Sequence, residues 1–222
     1  MRRLFVFLCA TALFSTFSFA QYQMKDGMNK AKTQQGSYNG GRTINTLSFS
    51  VNPMSCTWKV SDDGISVSDS DSFLGFSLKW NGSIDLSNTQ LRFGYGAGLQ
   101  YAYSSKPENW GVDKVRFLSA KIPLELQYAF DFSGSNVSLV PYAGFDAVIH
   151  FMGKEVLGDT SYNMFEDSDL RRFNIDWHVG AKLYIDRFFF GAAYEGPVLK
   201  LYSENPMSVG MSQADIFVGF VF

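Results

Sequence analysis

The side chains of this chain that could do chemistry fall on one parity of a series of extended segments. Lys79, Arg92, Lys121 and Lys182 supply the cations, and Glu125, Asp146, Asp176, Glu195 and Asp215 the carboxylates, with His150 and His178 beside them. Gathered in one narrow interior, these groups are expected to form a lumen charge network, because an unpaired charge away from water is costly. The alternative use of the same groups is a proton relay or a narrow ion path. Acyl transfer would need a histidine beside a serine nucleophile. The chain has only two histidines, and neither His150-Phe151-Met152 nor His178-Val179-Gly180 places a serine two residues on along the same face. Ser138 shares a strand face with His150 but sits twelve residues away. No catalytic residue, cofactor-binding residue, cofactor or metal ligand is assigned.

Two polar stretches are acidic: Asp62, Asp63, Asp69 and Asp71 in one, Asp159, Glu166, Asp167 and Asp169 in the other. Calcium takes such carboxylate oxygens, but neither stretch has the spacing of an EF-hand loop, so solvated negative loops are expected. Trp110, Met164 and Phe165 are apolar residues in expected loops. They are read as pinning those loops to the rim of the fold, with contact to a partner as the alternative.

The elements that must position these residues are strands, because the apolar pattern has period two. Leu91, Phe93, Tyr95, Ala97, Leu99, Tyr101 and Tyr103 alternate with Arg92, Gly94, Gly96, Gly98, Gln100 and Ala102. Leu118 to Phe130, Val137 to Phe151 and Asn174 to Ile185 alternate in the same way. Four more segments, at about 43–52, 73–82, 188–201 and 211–222, bring the set to eight. Gly196-Pro197 is expected to interrupt the seventh. Pro123 and Pro141 lie inside strand patterns, and Pro123 suggests a bulge.

Tight connections are expected at Gly82 to Gln90, Asp131 to Asn136 and Asp186-Arg187. Long loops are expected at Pro53 to Ser72, Ser104 to Lys114, Gly153 to Arg171 and Tyr202 to Gly210. Alternating short and long links mark an up-and-down barrel with periplasmic turns and extracellular loops. A soluble barrel would be apolar inside and polar outside. Glycines 94, 96 and 98 instead suit the crowded inner wall of a small membrane barrel.

Arg2-Arg3, the apolar run Leu4 to Phe19 and Ser18-Phe19-Ala20 have the anatomy of a secretory signal peptide cleaved after Ala20. Residues 21–42 read as a polar periplasmic tail, and 43–222 as the barrel. No later segment approaches the roughly 18 uninterrupted apolar residues of a membrane helix. A spanning chain must then be a closed barrel. The net charge of −2 argues against a nucleic-acid partner. Cys56 is the one cysteine after residue 20, which rules out an internal disulfide.

Phe117-Leu118-Ser119-Ala120-Lys121-Ile122-Pro123-Leu124 and Pro141-Tyr142-Ala143-Gly144 resemble strands of the outer-membrane β-barrel domain family of Gram-negative bacteria. So do Ser161-Tyr162-Asn163-Met164-Phe165, Arg172-Phe173-Asn174-Ile175-Asp176-Trp177 and Phe188-Phe189-Phe190-Gly191. The resemblance covers roughly residues 43–222, by the order and spacing of these segments. It implies an all-β fold, an eight-stranded antiparallel barrel of the OmpA transmembrane-domain type, and carries over no catalytic or ligand residue. Such a barrel would lie in the outer membrane with lipid around it. Its last strand, ending on Phe222, would be read by the barrel-assembly machinery. The expected role is non-enzymatic: envelope structure, adhesion or binding of an extracellular ligand through the loops. The alternatives are a narrow transport pore and, further off, a lipid-modifying enzyme.

Overall fold

The computed structural model describes residues 43–222 apart from 63–64, 87–89, 106, 133–135, 168–169 and 205. The expected signal peptide and periplasmic tail lie outside the described residues, as do Asp63 and Asp169. The strands are β1 (Thr43–Asp62), β2 (Ile65–Asp85), β3 (Leu91–Ser105), β4 (Lys114–Tyr128), β5 (Phe130–Asp131), β6 (Val137–Leu157), β7 (Thr160–Asn163), β8 (Phe173–Ile185), β9 (Phe188–Pro197), β10 (Tyr202–Glu204) and β11 (Met207–Val221). Eight of them form a ring in the order β1-β2-β3-β4-β6-β8-β9-β11, all pairings antiparallel. It closes where β11 pairs with β1, from Thr46↔Val221 to Val60↔Met207. The short β5 continues the line of β4 against β6, and β7 and β10 fold back on β6 and β11.

Period two sorts the side chains. Phe49, Leu78, Leu99, Leu124, Phe145, Val179, Phe190 and Val218 face outward and are exposed, whereas Ser50, Ser77, Gln100, Glu125, Asp146, His178 and Asp215 face inward and are buried. The closed ring is thus apolar outside and polar inside, the reverse of a soluble barrel. On β4 the outward belt runs from Leu118 to Tyr128, the roughly 9–11 residues a tilted strand needs to cross a bilayer.

Prolines remove rungs without shifting register. Pro123 pairs normally with Asp146 of β6, but on its other side the ladder skips from Tyr95↔Leu124 to Gly98↔Lys121. Pro53 has the same effect, since β1–β11 skips from Val51↔Ile216 to Met54↔Gln213 while Pro53↔Leu74 is kept. Each proline aims its missing N–H at one neighbour only, and that neighbour loses the pairing. The bulge expected at Pro123 is absent there. The register shift of that ladder lies between Leu118 and Ser119. Pro197 does end β9, after which the Val198 and Leu199 amides both donate to the Ile175 carbonyl.

The long loops are less free than expected. Pro53 to Ser72 is a two-stranded ribbon in which β1 and β2 stay paired up to Asp62↔Ile65, with Thr57 and Ser70 hydroxyls 2.9 Å apart. Within Gly153 to Arg171, β6 runs on to Leu157 and turns through Gly158 (φ 57) into β7 and a helical turn at Met164–Asp167. These continuations carry serines and charges outside, so the apolar outward pattern that marks a strand stops while the pairing does not.

Val179→Arg, on the outward face within the belt, is expected to cost about 2–4 kcal/mol of folding stability in lipid vesicles. Thr57→Arg, on the same face but beyond the belt, should cost no more than about 1 kcal/mol. Denaturant titration of both variants checks the face and the depth together.

Candidate functional site

The interior is filled in three layers. At the turn end, Tyr142, Phe189 and Phe217 pack together with Tyr184. The inner wall makes room for these rings with glycine: a Cβ at Gly180 would lie 2.8 Å from Tyr142 Cζ, and one at Gly191 2.6 Å from the Phe217 ring. Arg92 sits at this end and pairs with Asp85 at 2.8 Å. It is therefore not part of the central cluster in which the sequence pattern had placed it.

The middle layer holds the remaining ionisable groups. Glu195 is its pivot, accepting from Lys79 at 3.1 Å through Oε1 and from Lys121 through Oε2. Lys79 also binds Asp215, whose other oxygen accepts from Asn52 and, at 2.9 Å, from Gln213. A second group adjoins the first, with His178 paired opposite Glu195 across β8 and β9: Lys182 donates to Glu125 at 2.8 Å, and His178 Nδ1 lies 2.9 Å from Asp146 with its Nε2 3.9 Å from Glu125. Lys182 also rests 4.3 Å above the Tyr142 ring. Asp176 makes no ion pair among the described residues and accepts a hydrogen bond from Asn174 Nδ2 at 3.3 Å.

His150 belongs to neither ion group. Its Nε2 is 2.8 Å from Asn174 Oδ1 and its Nδ1 is 2.6 Å from Ser119 Oγ. Asn174 uses its amide nitrogen on Asp176, so its oxygen accepts the Nε2 proton. That leaves His150 Nδ1 to accept the Ser119 hydroxyl proton. The result is a serine with a base at hydrogen-bond distance, the arrangement of an activated nucleophile. Reading along single strands missed it, because the two residues are cross-strand neighbours on β4 and β6. The inward parity of Ser119 was the available signal.

Little room adjoins this serine. The cavity beside it, lined by Ser119, Lys121, His150, Asn174, Asp176 and Glu195 among others, measures about 20 Å³. That volume holds a water molecule and no acyl chain. Phe117 and Phe165 close in on the imidazole, each ring centroid 5.8 Å from it.

The top layer is an apolar cap. Met54, Cys56, Phe73, Val115, Phe117, Leu201, Val209 and Met211 are buried together with Met164 and Leu170 from the connections. Trp110 packs on Trp58 at 4.9 Å between ring centroids, and Phe165 carries the Arg172 guanidinium 4.9 Å above its face. Trp110, Met164 and Phe165 are thus inside the mouth of the ring, holding the connections down. Asp71, expected in a solvated loop, is buried on the inward face of β2. Burial, with the Asp71 carboxylate adding to it, pushes the Cys56 thiol up to about 12.

The profile of the outer membrane protein beta-barrel domain family matches residues 19–201. The chain belongs to this family. Among solved structures it is similar to Neisserial surface protein A, at 17% identity over 78% of this chain and 97% of that one, with a TM-score of 0.40. It is also similar to Ail, the attachment invasion locus protein of Yersinia pestis (15% identity, 83% and 100% covered, TM-score 0.40). The outer membrane enzyme PagL is a third (15%, 79% and 98%, TM-score 0.46). No curated protein sequence matches the chain. As an outer-membrane barrel, the protein meets lipid with its outward belt and keeps its polar groups in the lumen.

Three outcomes follow from the layered lumen. Glu195→Gln leaves Lys121 buried without its carboxylate and should destabilise the barrel by about 3–5 kcal/mol. Arg92→Gln, whose pair with Asp85 is less deeply buried, should cost less than Glu195→Gln. Guanidinium unfolding in vesicles measures both. In protein produced from Gln21 onward, where Cys56 is the one cysteine, the thiol should resist maleimide at pH 8 in the folded barrel, since the thiolate is the reactive form. It should label once Trp110→Ala and Met164→Ala open the cap, at a pH where the intact protein does not.

Proposed function

We propose that the protein is a non-enzymatic outer-membrane barrel that offers the β1–β2 ribbon, outside the cell, to a partner protein by strand addition. The observation that carries this reading is the outer edge of β2. The β2–β3 ladder begins only at Leu74↔Tyr103, whereas β1 and β2 remain paired out to Ile65. Among the described residues no strand pairs with the other edge of Ile65–Ser70; further down, the Ser104 hydroxyl donates to the Ser72 carbonyl at 2.7 Å. Such an edge presents a row of amides and carbonyls that a partner strand can complete. Ile65 and Val67 alternate along it with serines, at 72% and 65% exposure, which supplies apolar side-chain contacts on one face.

The lumen supports the same reading by what it leaves no space for. Ser119 and His150 have the pairing of a nucleophile and its base, but the adjoining cavity admits only water. A transport path would have to cross the aromatic layer, the ion layer and the apolar cap in turn. The surface above the membrane is where recognition has room.

Replacing Lys59 to Ser68 by an Asn-Gly hairpin, which keeps Trp58 of the cap, is the test. The barrel should still shift on an SDS gel between unboiled and boiled samples, because ribbon tips tolerate shortening. Cells carrying the shortened protein should lose attachment to protein-coated surfaces relative to cells carrying the intact one. Attachment unchanged by the trimming would remove the assignment.

A further inference from the structure

Past the apolar belt, β4 and β6 carry outward cations. Ser212 on β11, Ser55 on β1 and Ser72 on β2 form one outward row, and Ser105 on β3 lies opposite Lys114 of β4. On β4 and β6 the outward cations are Arg116 and Lys154, both exposed, with Lys114 one outward step above Arg116. The register places Arg116 directly opposite Lys154. Tyr103 flanks Arg116 on one side and Asn163 flanks Lys154 on the other, making one row across four strands. Like charges directly opposed across a ladder are destabilising. None of the three cations makes an ion pair among the described residues; the ion pair nearest in the chain, Glu166 with Arg172 at 3.6 Å, leaves them out. Glu155, beside Lys154 in the chain, points to the opposite face of β6.

We propose that Arg116, Lys154 and Lys114 form a site for a phosphate group on an outer-leaflet glycolipid. A phosphate monoester carries close to two charges and three acceptor oxygens. Arg116 can grip it with two parallel N–H donors while the lysines act as point charges. The anion then turns an opposed cation pair into a bridged one. Depth selects the source. Arg116 is the first outward residue past Leu118, one pleat above the hydrocarbon, where lipid headgroups lie and water thins. Tyr101 and Tyr103, stacked at 6.4 Å between centroids, stand at the same boundary, as aromatic girdles do in such barrels. A soluble anion would have no reason to seek that level rather than the exposed ribbon above.

The experiment folds the full mature barrel into phosphatidylcholine vesicles and follows its thermal midpoint. The vesicles contain diphosphorylated lipid A, its dephosphorylated form, or neither, and a fourth sample adds inorganic phosphate alone. Diphosphorylated lipid A should raise the midpoint of the wild-type protein. Arg116→Gln with Lys154→Gln should reduce the apparent affinity by on the order of tenfold. Without lipid A the double variant should be at least as stable as wild type, because the opposed charges are gone; this sign separates a binding site from a residue pair that merely supports the fold. An equal rise with the dephosphorylated lipid would show that sugar or acyl contacts are responsible. The same rise with inorganic phosphate would show a free-anion site. An undiminished rise in the double variant would place the lipid elsewhere. Each of these three results overturns the proposal.

Discussion

Closure of β11 onto β1 is the constraint on which the rest of the structure depends. Hydrocarbon offers no partner to a backbone amide, so every rung lost within the belt leaves polar groups in lipid. The ring therefore has no edge through the belt, and its strands bear apolar side chains outside whatever stands inside. The prolines show how far the rule bends. Pro53 and Pro123 each give up pairing on one side while keeping the other side and the register intact. A slip of one residue would turn the outward face of the strand inward. Loss of a local rung is the smaller disturbance.

A ring of eight strands leaves an interior just wide enough to be filled, and this one is filled with charge between two apolar layers. The arrangement is mutually dependent. The caps keep water from the middle layer, which strengthens each ion pair there; the pairs in turn are what makes burying so many charged groups tolerable. Glu195 joins Lys79 and Lys121, and Asp215 and Glu125 anchor the ends of the two groups. The Ser119–His150–Asn174–Asp176 chain belongs to this scaffold. Its hydrogen bonds satisfy polar groups from β4, β6 and β8 under the cap.

Much of the architecture was legible because period two survives any register. Strand number, the inward set and the crowded glycine wall all follow from parity within single segments. Pairing across strands does not. Ser119 meets His150 only through the β4–β6 register, which includes a shift beside Ser119 itself, and Arg92 finds Asp85 only through the β2–β3 register. The apolar cap was hidden for a different reason. Met54, Cys56, Phe73, Val115 and Phe117 are apolar on the inward face, so above the belt the contrast between faces fades or reverses. The ribbon was hidden too: Ser66 to Ser72 carries no apolar outward pattern, and its pairing depends on β1 alone. Sequence marks a strand by what its faces touch, and these stretches touch water on one face.

The division of labour in the molecule follows from the same physics. Inside the belt each outward position is committed to lipid and each inward position to the filled lumen, so neither face is free to vary its chemistry. Freedom begins where the belt ends. There β4 and β6 bring Arg116 opposite Lys154, while β11, β1 and β2 carry serines in one row, a difference that neither closure nor packing requires. Higher still, β1 and β2 outlast β3, and among the described residues no strand pairs with the other edge of Ile65–Ser70. The departures from what the barrel itself demands thus lie at two heights on its outer surface, one at the headgroup level and one in the medium beyond. A rigid, closed scaffold is what allows both to be held in fixed geometry.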